Sequence, residues 1–145
     1  MRTSHSIVRQ FAGTRNRDQP WIKLLAKVSA IRLCSIAMKK VLLVCTGNKD
    51  RSPTAAMVLA EMCAPMWVTS AGTEPWAKNP VHLEMVEEAD VICVMEEAHR
   101  RFIRDRFGES HAEKVVVLDI PDNYICWETR LIHLLKPKLR AALGL

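Results

Sequence analysis

Four short apolar runs stand out along the chain: residues 40–46 (KVLLVCT), 67–72 (WVTSAG), 91–95 (VICVM) and 115–120 (VVVLDI). They are rich in β-branched residues, and none alternates strictly between apolar and polar positions. That is the pattern of strands covered on both faces, as in a parallel sheet. Helical stretches separate them. Residues 53–64 are rich in Ala and Met, 81–89 form a shorter segment, 96–107 are charged and end at Gly108, and a last helix covers about 128–143. The alternation predicts an α/β fold: a small doubly wound parallel sheet of four strands, with right-handed crossovers and helices on both faces. Such sheets bind ligands beyond the carboxyl ends of their strands, and Cys45 stands at one of those ends. The chain shows no internal repeat and no low-complexity segment.

Charge divides the chain. The formal net charge is +5 over 145 residues, but residues 1–40 hold nine Lys/Arg against one acid, Asp18, so the remainder is net acidic. Residues 1–20 are polar, Arg-rich and aperiodic, which reads as disorder. Trp21, Leu24, Leu25, Val28 and Ile31 then follow helical spacing, with Lys23 and Lys27 turned away, giving a basic amphipathic helix over 21–37. Such a segment suits a membrane-surface or partner-binding arm, or a transit peptide. The preferred expectation is a start placed too early, because Met38-Lys39-Lys40 directly precedes the first strand. The domains expected are thus a basic extension over 1–37 and a single functional domain over 38–145.

No run of 18 uninterrupted apolar residues is present, so no transmembrane helix is expected. The five cysteines (Cys34, Cys45, Cys63, Cys93, Cys126) are odd in number and contain no CxxC pair, which points to a reducing cytoplasm. The five histidines (His5, His82, His99, His111, His133) lack metal-ligand spacing, so neither a metal nor another cofactor is expected. Free cysteine usually behaves as a small buried hydrophobe, and Cys63, Cys93 and Cys126 read that way.

Cys45 does not. In C-T-G-N-K-D-R-S (45–52) a thiol ends a strand and a guanidinium follows six residues later. The loop between them, Thr46, Gly47, Asn48, Lys49 and Asp50, can curl so that successive N–H groups make a nest for an oxyanion. Gly47 and Asn48 tolerate the positive φ that curling asks for. Ser52 reads as the N-cap and Pro53 as the first residue of the following helix, whose positive dipole end then faces the loop. Arg51 adds a planar fork matched to two phosphate oxygens. A cysteine in such a place is favoured as thiolate, and a nucleophile at the base of a phosphate cradle is suited to displacement at phosphorus.

These residues resemble the low-molecular-weight protein tyrosine phosphatase family, whose signature is commonly written CxGNxCRSP. The likeness continues through "VTSAGT" (68–73), "ADVICVMEEAHR" (89–100) and "LDIPDNY" (118–124), and so runs from about 40 to 124. Its spacing is closest to a shortened subgroup of about a hundred residues, with only some 16 residues between "SAGT" and "ADVICVM". The resemblance implies that Cys45 is the nucleophile and Arg51 binds the phosphoryl oxygens. Ser52 would hydrogen-bond the sulfur as the phosphocysteine is hydrolysed, Asn48 would hold a left-handed turn, and Asp122 would protonate the leaving oxygen. Asp119 is the reserve acid.

Two positions depart from the family. Asn123 replaces the proline that usually follows the acid, and Asp50 replaces the second loop cysteine, placing a carboxylate in an anion-binding loop. The expected activity is phosphomonoester hydrolysis on a phosphorylated protein or small phosphomonoester, in the cytoplasm, with no nucleic acid or membrane as partner. The alternatives are a non-catalytic phosphate-binding module on the same fold and, ranked last, an arsenate reductase. That chemistry needs two more cysteines near each other, whereas Cys93 lies in an apolar run and Cys126 is far along the chain.

Overall fold

Val41 to Cys45 are all buried, and they form the inner part of strand β1 (Lys39–Cys45). The computed structural model describes residues 38–62 and 65–145. The expectations for residues 1–37 and for Cys34 and Cys63 fall outside that range. Helix α1 (Arg51–Glu61) follows β1, then β2 (Met66–Gly72), α2 (Leu83–Glu88), β3 (Val91–Val94), α3 (Glu97–Phe107), the short turn α4 (Glu109–Ala112), β4 (Val115–Val117) and α5 (Thr129–Leu143). The strands are parallel, in the order β2-β1-β3-β4. The doubly wound four-stranded sheet expected from the apolar runs is the sheet that forms.

Two cores cover its faces. On one, Val41, Leu43, Cys93 and Met95 pack with Ala55, Val58 and Leu59 of α1 and with Leu131, Leu135, Leu139 and Leu143 of α5. Those four leucines recur every fourth residue, which places them along one side of a helix. Each contributes about 1.5–3 kcal/mol by leaving water. Pro137 interrupts the hydrogen bonding of α5 on the opposite, exposed side, so the helix keeps its buried face through the proline. On the other sheet face, Leu42, Val44, Ile92 and Val94 pack with Val86 of α2 and Ile103 of α3.

Several expectations need correction. Strand β2 is an edge strand: Trp67 and Thr69 are exposed, and full burial begins only at Ala71. Only β1 and β3, between neighbours, approach cover on both faces. The last strand stops at Val117: Leu118 and Ile120 still donate their N–H groups to the Val94 and Met95 carbonyls, but Asp119 between them takes a φ of +52°, which breaks the extended backbone. Helix α2 is shorter than the 81–89 segment, and α4 was not foreseen. Ser52 is not the N-cap of α1: the helix begins at Arg51 with Asp50 at the cap, and no side chain caps it. Pro53 is therefore the third helical residue, still within the first turn, where an N–H has no helical acceptor. Among the described residues no helix is long and apolar enough to cross a membrane.

Candidate active site

The register of the sheet determines what the 46–50 loop meets. Cys45 pairs with Gly72, and Leu43 with Ser70, so the end of β2 runs alongside the loop that leaves β1. The contact is close enough to require glycine: a Cβ on Gly72 would lie 2.5 Å from the Thr46 carbonyl oxygen and 2.6 Å from the Ala77 Cβ. Beyond Gly72, residues 73–80 wrap the loop from outside. The N–H groups of Thr73, Glu74 and Lys78 donate to the carbonyls of Cys45, Thr46 and Gly47 at 2.9, 3.2 and 3.1 Å. With three successive carbonyls held outward, the N–H side of the loop turns toward the thiol. Asn48 shows it directly: at φ +52° its N–H donates to Cys45 Sγ at 3.2 Å. Gly47, by contrast, does not need a positive φ. Its missing side chain makes room for the Trp76 indole, which a Cβ would approach to 2.8 Å.

A buried polar chain fixes the sulfur from behind. The Asn48 amide donates through Nδ2 to Ser52 Oγ (2.9 Å) and to Ser70 Oγ (3.0 Å), and Ser52 Oγ lies 3.0 Å from Cys45 Sγ. The Ser52 hydroxyl has one proton and two acceptors, the sulfur and the Ala71 carbonyl at 3.3 Å. Facing a thiolate it donates to sulfur; facing a thiol it can turn to the carbonyl and accept the S–H. The helix cap expected of Ser52 does not form, whereas the hydrogen bond to the sulfur that the family resemblance implies for it does. Ser70, the outer member of this chain, carried no signal in the sequence, since only the strand register brings it here.

Arg51 is 1% exposed, and its guanidinium is held on several sides. Nη1 donates to Glu96 Oε1 and, at 2.8 Å, to the Ile120 carbonyl; Nη2 donates to Thr46 Oγ1 at 3.2 Å and reaches Asp122 Oδ1 at 3.3 Å. A buried cation is stable only with such partners, and together they lock the fork in orientation. Cys45, Thr46, Gly47, Lys49, Asp50, Arg51, Trp76 and Asp122 line one small pocket of about 100 Å³. Lys49 lies over the Trp76 ring, 5.2 Å from its centroid. Ser52 and Asn48 stay behind the pocket as buried supports. Asp119 lies elsewhere, lining a groove with Lys138, Ala141 and Ala142.

Glu96 and His99 were missed as site residues. They form the capping box of α3, with Glu96 at the cap and His99 three residues on, a spacing readable in "EEAH" as a helix start. The Glu96 N–H donates to His99 Nδ1 at 3.1 Å, which leaves the proton on Nε2, 2.9 Å from Thr46 Oγ1. Burial first, then the Arg51 charge, lowers the pKa of His99 below its ordinary value, in keeping with a neutral ring. Thr46 Oγ1 therefore accepts from His99 and Arg51 together, and its own proton is free to point into the pocket.

A histidine with a depressed native pKa contributes stability above its unfolded value of about 6.5, and loses it as pH falls toward the native value. The melting midpoint is expected to fall between pH 7 and pH 5, with a smaller fall in His99→Gln. Identical pH profiles for the two proteins would show that folding leaves the proton affinity of His99 unchanged.

No protein-family model matches the chain, and no curated protein matches it. Solved structures do. The tyrosine phosphatase Wzb from Escherichia coli K30, in complex with phosphate, superposes with a TM-score of 0.62 at 22% identity, over 74% of this chain and 99% of that one. SP-PTP, the low molecular weight protein tyrosine phosphatase from Streptococcus pyogenes, gives 0.64 at 19% identity over 74% and 92%. The YwlE arginine phosphatase from Geobacillus stearothermophilus gives 0.55 at 22% over 73% and 88%. The fold is that of the low-molecular-weight phosphatases.

Proposed function

We propose that the chain is a cysteine-dependent phosphomonoester hydrolase of the protein tyrosine phosphatase type, working through a phosphocysteine. The observation that carries this reading is the convergence of Cys45, the locked Arg51 fork and Asp122 on one pocket, around a loop whose carbonyls are turned away. Cys45 Sγ attacks phosphorus and the ester P–O bond breaks. Arg51, the loop N–H groups and the Thr46 hydroxyl bind the phosphoryl oxygens. Asp122 gives its proton to the leaving oxygen, then takes one from the water that attacks the phosphocysteine, and Ser52 donates to the departing thiolate. Asp122 leans on Arg51 in this structure. An entering phosphoryl dianion offers Arg51 other oxygens in place of the Asp122 carboxylate, which leaves that side chain to face the leaving group.

The Trp76 indole on the rim, 61% exposed, offers a flat face to an aromatic ester, which favours phosphotyrosine in a protein or a small aryl phosphate as substrate. Residues 38–145 would carry the activity without a cofactor, and the chemistry suits a reducing cytoplasm, where the nucleophile stays a thiol. Arsenate reduction is disfavoured because Cys93 is buried in β3, where burial, opposed only by the Lys39 charge, pushes its thiol up to about 12, while Cys126 lies in an exposed turn.

p-Nitrophenyl phosphate should be turned over with competitive inhibition by inorganic phosphate. Iodoacetamide should inactivate the enzyme by alkylating Cys45, phosphate should slow that reaction, and Cys93 should stay unmodified in the folded protein. Absence of turnover, or inactivation at the same rate with and without phosphate, would refute the proposal.

A further inference from the structure

Asp50 occupies the position that raised an electrostatic objection, yet its carboxylate has a partner far along the chain. Asp50 Oδ1 accepts the Cys126 N–H at 2.8 Å. One turn into α1, Thr54 Oγ1 donates to the Asp50 carbonyl at 2.7 Å and accepts the Trp127 N–H at 3.0 Å. Two successive amides after the Asp122 loop are therefore held by the start of α1. Trp127 has a φ of +64°, a conformation costly for so bulky a side chain and kept only where the surroundings impose it. The exposed residues Pro121, Asp122 and Asn123 lie between Ile120, whose carbonyl binds Arg51, and Tyr124, which packs against the core. Cys126 and Trp127 are the next fixed points.

We propose that Asp50 and Thr54 are positioning residues: a staple between the phosphate-binding loop and the 122–127 segment that keeps the Asp122 carboxyl over the pocket. The catalytic consequence rests on the reading of Asp122 as general acid; the staple itself does not. Asp50→Ala removes the acceptor, lengthening the free tether beyond Tyr124, and leaves α1 without loss of a capping bond, because Asp50 makes none. Asp50→Asn keeps an oxygen acceptor and removes only the charge. The two variants separate hydrogen bond from electrostatics. Thr54→Val tests the second bond independently.

The deciding experiment pairs amide hydrogen exchange, followed by NMR at Cys126 and Trp127, with kcat/KM for phenyl phosphate and p-nitrophenyl phosphate in the full chain. Asp50→Ala is expected to speed Cys126 exchange about tenfold or more. It should also lower the phenyl-to-p-nitrophenyl ratio by about ten- to a hundredfold, since a displaced acid costs most where the leaving group needs its proton. Thr54→Val should do the same at Trp127, to a lesser degree. Asp50→Asn should hold both the protection and the ratio while tightening inhibition by inorganic phosphate. Unaltered exchange in Asp50→Ala overturns the staple, as does an Asp50→Asn protein that matches Asp50→Ala. Faster exchange with an unaltered ratio overturns the positioning role. If wild type shows no turnover or Asp122→Asn shows no leaving-group selectivity, the functional reading fails instead, and exchange still decides the staple.

Discussion

Cys45→Ser is expected to lose turnover of p-nitrophenyl phosphate by about 10⁴-fold or more, while melting within a few degrees of wild type and still binding phosphate. The loss has two parts. An alcohol is scarcely ionised near neutrality where a thiol is readily so, which removes the nucleophile. A phosphoserine, if formed, would also have a far poorer leaving group than a phosphocysteine. Retention of fold follows from the surroundings of the sulfur. Cys45 closes a buried strand, and its neighbours there are hydrogen-bonding groups, the Asn48 N–H and the Ser52 hydroxyl, which accept an oxygen as readily as a sulfur. The cradle should survive too, because Asn48 is fixed by Ser52 and Ser70, and Arg51 by Glu96, Ile120 and Thr46, none of which depends on the thiol. Calorimetric titration with inorganic phosphate, beside rate measurements, checks both halves. Rates equal to wild type would remove Cys45 as nucleophile, and lost phosphate binding would show that the sulfur itself shapes the loop.

What the sequence disclosed of this site was its local part. Cys45, the loop and Arg51 lie within seven consecutive positions, and their residue types restrict the backbone they can share: a strand end, a residue tolerant of αL, and a helix start. The strand order was not in that pattern, and much of the site depends on it. Ser70 reaches Asn48 because β2 pairs with β1 in a register that sets Leu43 opposite Ser70. Glu96 reaches Arg51 because β3 flanks β1 on its other side. A glutamate at a helix start could be read as a cap, but nothing local says that its carboxylate also meets an arginine 45 residues earlier. Ser52 shows the reverse error. A serine before a proline looks like a cap by propensity, and the tertiary demand of the thiol for a donor prevailed. Asp50 looked adverse to phosphate for the same reason: its partner, the Cys126 N–H, is 76 positions away.

Asp122→Asn is expected to lower kcat for phenyl phosphate or phosphotyrosine by about 10²–10⁴-fold, the usual range for a general acid, with a much smaller loss for p-nitrophenyl phosphate. The contrast arises at the leaving oxygen. Phenolate is a strong base and departs slowly unless protonated, whereas p-nitrophenolate delocalises its charge and needs little help. Asparagine preserves the size of the side chain and an oxygen to face Arg51 Nη2, now 3.3 Å from Asp122 Oδ1, so ground-state binding of phosphate should change little. Arg51→Lys supplies the comparison. It keeps a positive charge but loses the fork and, with it, hydrogen bonds to Glu96, Ile120 and Thr46, so both substrates should lose rate together. Asp119→Asn is the remaining control: that residue lines a groove beside α5, away from Cys45, and its leaving-group profile should follow wild type. The assignment fails if Asp122→Asn turns over phenyl phosphate at close to the wild-type rate. It fails equally if Asp119→Asn shows the selective loss instead, which would place the acid three residues earlier in the loop.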